Sequence, residues 1–275
     1  MKMLLCTIGS HKRETTLGFG ITVAQALAAE LTLLGVAKKK DKIASLAKEL
    51  ERRAAPLIAE GLTVQVRVLS GEAEKMVLQE MEQDTYDLVA LGALAEKRSR
   101  RRFFDPVVVR IIEQARTTVL AIKGGRTTLS KVLICASGTE QGHLSIWAGA
   151  GLACGAGAKA TVLHIVDALP AMYVGLEQME ETLGELLQSD SEKARELRWA
   201  TQVVKAECEV SEVKLRRGIA ADEILEEGQE GNYDLIVLGS SQTAGGLRRA
   251  LMGDLASEVV TRAERPVLVV RPIEH

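Results

Sequence analysis

One seven-residue segment occurs twice in the chain and restricts the folds available to it. Tyr86–Gly92 has the sequence YDLVALG, and Tyr233–Gly239 has the sequence YDLIVLG. A continuous apolar run that is opened by a polar turn and closed by glycine is typical of a strand buried on both faces of a parallel sheet. The final glycine lets the backbone turn where a side chain would obstruct it. The repeat indicates two similar halves, and we expect ligand sites just after these strands.

The two halves share one order of predicted elements, β-α-β-α-β-α-β-α-β. Strands that alternate with helices predict an α/β fold in which a parallel sheet is covered by helices on both faces. The sequence therefore predicts one domain over residues 1–125 and a second over residues 130–275, joined by the glycine-rich segment Gly124–Thr128.

The spacing of equivalent residues locates an insertion in the second half. Cys6 and Cys135 are 129 residues apart, whereas Gly92 and Gly239 are 147 apart, so the second half has about 18 extra residues between its second and third strands. We assign this extra length to a long helix from about Leu176 to Ala206. In the first half, we expect Pro56 to kink or break the second helix.

The composition argues against several classes of function. Apolar residues make up 47%, charged residues 26% and aromatic residues 3%, and the net charge is −2. This balance is that of a globular protein without general attraction to nucleic acids or anionic membranes. The chain has no run of 18 apolar residues, and the apolar start Met1–Cys6 is too short for a signal peptide. We expect a cytoplasmic protein with no membrane or nucleic-acid partner, and its scattered cysteines are expected to be buried and reduced.

Several segments, repeated in the same order in both halves, carry a family resemblance. In the second half they are Cys135–Thr139, Thr161–Val166, Gly218–Ile224, Tyr233–Ser241 and Pro266–Arg271. Together they resemble the universal stress protein family in its tandem, two-domain form. The resemblance implies two Rossmann-like (adenine nucleotide alpha hydrolase-like) domains, each with five strands in the order 3-2-1-4-5 and a crevice between the first and fourth strands. It also implies that the two domains pack through their last strands.

The resemblance further implies a nucleotide site, because many members of the family bind ATP through the pattern G-x2-G-x9-G-[S/T]. Backbone N–H groups at such a helix N-terminus favour phosphate groups. Carried onto this chain, the expected ligand is ATP or AMP in the second domain. The site residues implied are Ala136, Ser137, Gly138, Ile165, Leu238, Gly239, Ser241, Gln242, Gly253, Asp254 and Leu255.

Both halves depart from the nucleotide-binding pattern. In the second half, Gln242 replaces the second glycine, Asp254 replaces the final Ser or Thr, and Gly239 and Gly253 are 14 residues apart rather than 13. A carboxylate at this place repels phosphate by about 1 to 4 kcal/mol at ~4 Å. The first half departs further, with Ile8 at the expected adenine-contacting Asp and Asp105–Pro106 at the final pair. The pattern favours the second half as the nucleotide site.

Other candidate residues have a functional and a structural interpretation. Arg98, Arg100, Arg101 and Arg102 form either an anion or partner site or a solvated loop balanced by acidic neighbours. His164 is interpreted as a core histidine rather than a ligand. The acidic residues of 222–227 are interpreted as a solvated helix face.

The sequence has no nucleophile elbow, P-loop or HExxH motif, so nothing in it indicates catalysis. We therefore expect a non-enzymatic stress-response or regulatory module. A nucleotide-free interaction scaffold and a slow nucleotide hydrolase stay open as alternatives. We also expect two chains to form a homodimer, because an apolar strand edge needs cover.

Overall fold

All strands of the described chain belong to one sheet. The computed structural model describes residues 1–8, 13–92, 106–137, 142–166, 183–208, 210–239 and 255–272. Within these residues the strands form one ten-stranded sheet. The first half contributes β1 (Lys2–Ile8), β2 (Glu30–Ala37), β3 (Val64–Ser70), β4 (Leu88–Gly92) and β5 (Thr118–Ile122). The second half contributes β6 (Lys131–Ala136), β7 (Lys159–Val166), β8 (Val210–Arg217), β9 (Leu235–Gly239) and β10 (Val267–Val270).

Helices connect these strands. The first half has α1 (Arg13–Ala26), α2 (Ile43–Ala59), α3 (Ala73–Gln83) and α4 (Pro106–Gln114), with a short 3-10 turn at Lys40–Lys42. The second half has α5 (His143–Ala156), α6 (Leu183–Gln188), α7 (Glu192–Glu207), α8 (Ala220–Glu230) and α9 (Leu255–Arg262). The predicted alternation of strands and helices in an α/β fold is thereby confirmed.

The two halves meet through their last strands. The order across the sheet is β3-β2-β1-β4-β5-β10-β9-β6-β7-β8, so each half has the order 3-2-1-4-5 counted from its own first strand. Neighbouring strands within each half are parallel, whereas β5 and β10 pair antiparallel. Leu120 and Leu268 are equivalent in the two halves, and they pair with each other. A pseudo-two-fold axis therefore passes through this pair.

Helices cover both faces of the sheet. Buried apolar side chains of α1, α2, α5, α6 and α7 form one core on one face, and Leu46 and Leu50 of α2 form a small separate cluster with Ala37. Those of α3, α4, α8 and α9 form a second core on the other face. Each core contains residues of both halves, so the halves share their interior.

Glycines set how closely α1 and α5 approach their neighbours. A Cβ at Gly20 would lie 2.5 Å from Leu5, and one at the equivalent Gly149 would lie 2.8 Å from Ile134. A Cβ at Gly155 would lie 1.8 Å from the backbone oxygen of Ala26, where α5 crosses α1. Side chains at these positions would push α1 and α5 away from the sheet and from each other, so the packing of this helix layer depends on these glycines.

Basic residues after the last strands link each half to a helix end of the other. Arg271 donates a hydrogen bond to the carbonyl oxygen of Ala115, just after α4. Lys123 donates to the carbonyl oxygen of Thr261 in the last turn of α9, at 3.3 Å. Cations at helix C-termini satisfy carbonyl groups and oppose the helix dipole. These hydrogen bonds therefore also hold the two halves together.

The predicted helix from Leu176 to Ala206 is wrong as a single element. The described part of it contains α6 and α7, separated by Ser189–Ser191. The Ser191 hydroxyl accepts a hydrogen bond from the Ala194 backbone N–H at 3.2 Å, which caps a new helix. In the first half, α2 continues through Pro56 to Ala59, so Pro56 does not break it.

The environment of the cysteines differs from the sequence prediction. All four cysteines are free thiols, but only Cys6 is buried, and Cys154 is exposed. The part of the chain described here contains no helix that is long and apolar enough to span a bilayer.

Candidate functional site

The sheet topology brings part of the predicted nucleotide site together. Strands β9, β6 and β7 are adjacent, and their carboxyl ends lie on the same edge of the sheet. This arrangement places Leu238–Gly239, Ala136–Ser137 and Ile165 side by side. The edge between β6 and β9 is the topological switch point of the second half, where open α/β sheets bind ligands.

The two strands at this switch point separate earlier in the second half than in the first. Between β1 and β4 the pairing extends to Cys6 and Leu91. Between β6 and β9 it stops at Ile134 and Val237, one pair earlier. The next equivalent pair, Cys135 and Leu238, is therefore not part of this ladder.

In the first half, the equivalent crevice is filled by a side chain. Gly92 ends β4 and is buried, and a Cβ there would lie 2.2 Å from the Thr16 hydroxyl oxygen. Thr7 at the end of β1 is also buried, and its hydroxyl donates to the Leu34 carbonyl at 3.2 Å. At the described end of β4, Thr16 therefore packs directly against Gly92.

In the second half, the equivalent positions are open. Gly239 and Ser137 are exposed, and Ala136 is partly exposed. Ile165 is partly exposed and Leu238 is buried. The crevice thus combines apolar side chains with the backbone of the strand ends, which suits a flat, neutral ring with polar edges.

Of the residues predicted to bind phosphate, the structure describes Leu255 alone. Leu255 begins α9 and is exposed, at 39%. The other predicted residues of this part lie outside the described residues, so their role stays a prediction; they are Gly138, Ser241, Gln242, Gly253 and Asp254. The arginines predicted as an anion or partner loop also lie outside the described residues; they are Arg98, Arg100, Arg101 and Arg102.

His164 lies in β7, beside the end of β6 that borders the crevice. Its side chain is 2% exposed, and its Nδ1–H donates to the Ala136 carbonyl oxygen at 2.9 Å. Burial lowers the pKa of His164 and keeps the imidazole neutral. The structure therefore agrees with the interpretation as a core histidine. Among the described residues, no partner contacts its Nε2.

In each half, a buried carboxylate binds the tyrosine just before β4 or β9, the strand that borders the crevice. Glu80 accepts hydrogen bonds from Tyr86 at 2.7 Å and from Arg67 at 2.5 Å. In the second half, Glu227 accepts from Tyr233 at 3.1 Å and from Lys214 at 2.8 Å. Equivalent members of these two clusters are 147 residues apart. The tyrosine that opens each repeated segment is thus tied to the helix before it.

The second cluster carries more charge than the first. Glu227 also accepts from Arg216 at 3.0 Å, and Arg216 contacts three further carboxylates, those of Glu223, Glu226 and Glu230. Burial opposes the charge on Glu227, but the hydrogen bonds from Lys214 and Arg216 outweigh it and lower its pKa. Burial also raises the pKa of Tyr233 to about 12, so its hydroxyl stays a donor.

The interpretation of residues 222–227 as a solvated face is therefore wrong for Glu227, which is 3% exposed. Helical periodicity alone did not identify this residue. The shared offset of 147 residues between Arg67 and Lys214, Glu80 and Glu227, and Tyr86 and Tyr233 could have identified it.

The aspartate of each repeated segment anchors the first strand of its half. Asp87 accepts a hydrogen bond from the Lys2 backbone N–H at 2.7 Å. Asp234 accepts from the backbone N–H groups of Ser130 and Lys131 at 2.8 and 3.0 Å. These bonds fix the amino ends of the central strands, so the two strands enter the sheet in register. The crevice then forms at their opposite, carboxyl ends.

A duplicated α/β sheet, parallel within each half and covered by helices on both faces, defines a tandem Rossmann-like protein. The model of the universal stress protein family matches residues 1–123 and again residues 128–271. The chain belongs to the universal stress protein family, in its tandem form. In the described part of the chain, no group of three or more His, Cys, Asp or Glu residues is arranged to hold a metal ion.

Individual relatives agree with this assignment. A universal stress protein of Methanocaldococcus jannaschii is 29% identical over 154 residues, which cover 54% of this chain and 86% of that protein. A putative universal stress protein from Pseudomonas aeruginosa is 20% identical, covers 99% of this chain and 93% of its own, and has a TM-score of 0.74. A universal stress protein from Archaeoglobus fulgidus is 18% identical, with 98% coverage of each chain and a TM-score of 0.65. The two structures support the fold.

Proposed function

We propose that this chain is a non-enzymatic regulatory protein that binds an adenine nucleotide in the crevice of its second half. The observation that carries the proposal is the difference between the two crevices. In the first half, Thr16 packs against Gly92, whereas in the second half Gly239 is exposed and the strands separate one pair earlier. Because both halves fold alike, this opening is not required by the fold and is available for a ligand.

The chemistry of the open crevice favours an adenine ring. Ala136, Ile165 and Leu238 provide apolar surface, and backbone groups at the ends of β6 and β9 provide hydrogen bonds. Adenine binds through its flat face and its polar edge. The alternative is a nucleotide-free interaction scaffold, which the departures at Gln242 and Asp254 favour.

The first test is native mass spectrometry of protein purified without added nucleotide, followed by calorimetric titration with ATP and AMP. A co-purified adenine nucleotide, or a Kd below about 100 μM (about −5.5 kcal/mol), is the expected result. An empty protein without heat of binding contradicts the proposal and favours the scaffold.

Substitutions locate the binding. Gly239→Val puts a branched side chain into the open crevice and should abolish the heat of binding. Gly125→Val is the matched control, because a Cβ at Gly125 meets no atom within 4 Å. Gln242→Gly and Asp254→Ser together restore the family pattern, and they should strengthen ATP binding at least tenfold. Phosphate release above a protein-free blank that is lost on substitution of Asp254 would instead support the slow hydrolase.

A further inference from the structure

The exposed face of α5 is apolar along its whole length. The helix His143–Ala156 contains no Asp, Glu, Lys or Arg. Leu144 is 47% exposed and Trp147 is 50% exposed, and Gly151 and Cys154 are also exposed. These four residues, which we call the α5 stripe, follow one another at intervals of three, four and three residues and so lie on one side of the helix. A helix that is apolar on all sides is usually buried.

The aromatic residues of the chain extend this face towards α7. The chain has two tryptophans, and their rings meet edge to face at 6.1 Å. Trp199 of α7 also stacks on His143 at 3.7 Å, and His143 contacts Glu196 at 2.5 Å. These two polar side chains lie at the margin of the stripe, as polar groups do around a protein interface.

The equivalent face of α1 shows that folding does not require such a stripe. The residues at the same four positions of α1 are Thr15, Gly18, Thr22 and Gln25. The inter-domain linker packs on two of them: Thr22 donates to the Thr127 carbonyl at 2.8 Å, and a Cβ at Gly18 would lie 2.9 Å from the Thr127 side chain. The first half thus has a polar face, covered in part by the linker, where the second half has an apolar, exposed one.

We propose that the α5 stripe is the surface through which two copies of this chain associate. The spacing of the stripe is symmetric about its centre, with large residues in its first half and small ones in its second. If two α5 helices pack antiparallel about a two-fold axis, Trp147 of one copy lies over Gly151 of the other, and Leu144 lies over Cys154. Each large side chain then meets a small one, as a self-complementary two-fold interface requires.

The surroundings of the stripe support this occupant. A Cβ at Gly151 would meet no atom within 4 Å, so the protein has space there for an incoming side chain. The stripe also continues an interface already present, since Gly155 on the same helix packs against Ala26 where the two halves cross. The last strands cannot serve this purpose, because β5 and β10 pair with each other inside the sheet. The edge strands β3 and β8 bear Arg67, Lys214 and Arg216, which disfavour pairing through an edge.

Sedimentation velocity of the full chain over a dilution series tests the proposal. The wild type should dimerise, and Trp147→Glu and Gly151→Leu should each weaken association about tenfold or more. Ile58→Glu is the control, because Ile58 of α2 is exposed to a similar degree, 53%, but lies outside the stripe. Gly151→Leu fills an open space and leaves both tryptophans in place, so its folding and its tryptophan emission can be compared directly with those of the diluted wild type.

A cross-link tests the antiparallel register. Leu144→Cys places a thiol opposite the native Cys154 of a second copy, and oxidation by diamide should give a covalent dimer on a non-reducing gel. Leu144→Cys combined with Cys154→Ser should give none. A monomer at every concentration, or a dimer that survives both Trp147→Glu and Gly151→Leu, overturns the proposal. A dimer that these substitutions disrupt but that does not cross-link overturns the antiparallel register.

Discussion

The buried carboxylate clusters give a prediction with an internal control. Glu227→Gln keeps the size of the side chain and removes its charge. In the native protein, Glu227 accepts hydrogen bonds from Lys214 at 2.8 Å and from Arg216 at 3.0 Å, and the Tyr233 hydroxyl donates at 3.1 Å. The glutamine can still accept from the tyrosine, but its amide N–H groups then face two cations. The equivalent change in the first half is Glu80→Gln.

The structure sets the size of the effect. A hydrogen bond to a charged partner contributes about 1.5–3 kcal/mol, so two lost bonds give about 3–6 kcal/mol as an upper bound. The two cations are partly exposed and keep other carboxylates, since Lys214 contacts Glu212 and Arg216 contacts Glu223, so we reduce this by about half. We expect Glu227→Gln to cost about 2–3 kcal/mol of unfolding free energy. Glu80 has one cation, so Glu80→Gln should cost about 1 kcal/mol.

Urea denaturation followed by circular dichroism measures both costs. Because each core contains residues of both halves, we expect one cooperative transition. The pKa of Glu227 is lowered from 4.5 in the native state, so its contribution is complete above pH 4.5 and is lost as the pH falls through the native pKa. The difference between wild type and Glu227→Gln should therefore shrink on acidification. Equal costs for Glu227→Gln and Glu80→Gln at pH 7, or a difference independent of pH, would refute the reasoning.

Three further predictions concern single positions. Because the pKa of His164 is lowered in the folded state, the unfolded state binds the proton at a higher pH. The unfolding free energy should therefore fall below about pH 6.5, by at most about 1.4 kcal/mol per pH unit. His164→Gln should remove this slope in denaturation curves measured from pH 7 to pH 5. Gly149→Ala forces a methyl group against β6 and should cost about 1–3 kcal/mol in urea denaturation, whereas Gly151→Ala on the same helix should gain about 0.5–1 kcal/mol. Arg271→Ala leaves the buried Ala115 carbonyl without this donor and should lower the unfolding free energy by about 1–3 kcal/mol. An unchanged urea midpoint would contradict the inference that this hydrogen bond holds the two halves together.

The fold could be predicted from the sequence because its strongest signals are local. The repeated segments Tyr86–Gly92 and Tyr233–Gly239 are continuous apolar strands, and their order with the intervening helices determines an α/β sheet. The break between α6 and α7 was missed, because Ser189–Ser191 interrupts a pattern that otherwise continues with helical spacing. A serine that caps a new helix is a weak signal until the helix start is known.

The candidate site was less predictable, because its properties depend on contacts between distant residues. Glycine ends both repeated segments, yet Gly92 is closed by Thr16 from α1 and Gly239 is exposed. The spacing of glycines does not reveal which side chain of another helix reaches the crevice. The burial of Glu227 likewise depends on β8, the neighbouring edge strand, and not on the helix that carries it.

Comparison of equivalent positions separates residues that the fold requires from residues that are free to serve a function. The residues that hold the sheet together occur in both halves. They are the glycines that face β1 and β6, the buried glutamates, and the aspartates that bind the first residues of β1 and β6. Among the described residues, the open crevice at Gly239 and the apolar α5 stripe have no counterpart in the first half. Because the first half folds with Thr16 in its crevice and a polar face on α1, neither feature of the second half is required for folding. An exposed apolar surface and an unfilled crevice both lose favourable burial, so each is best explained by a partner, a ligand at Gly239 and a second chain at Trp147.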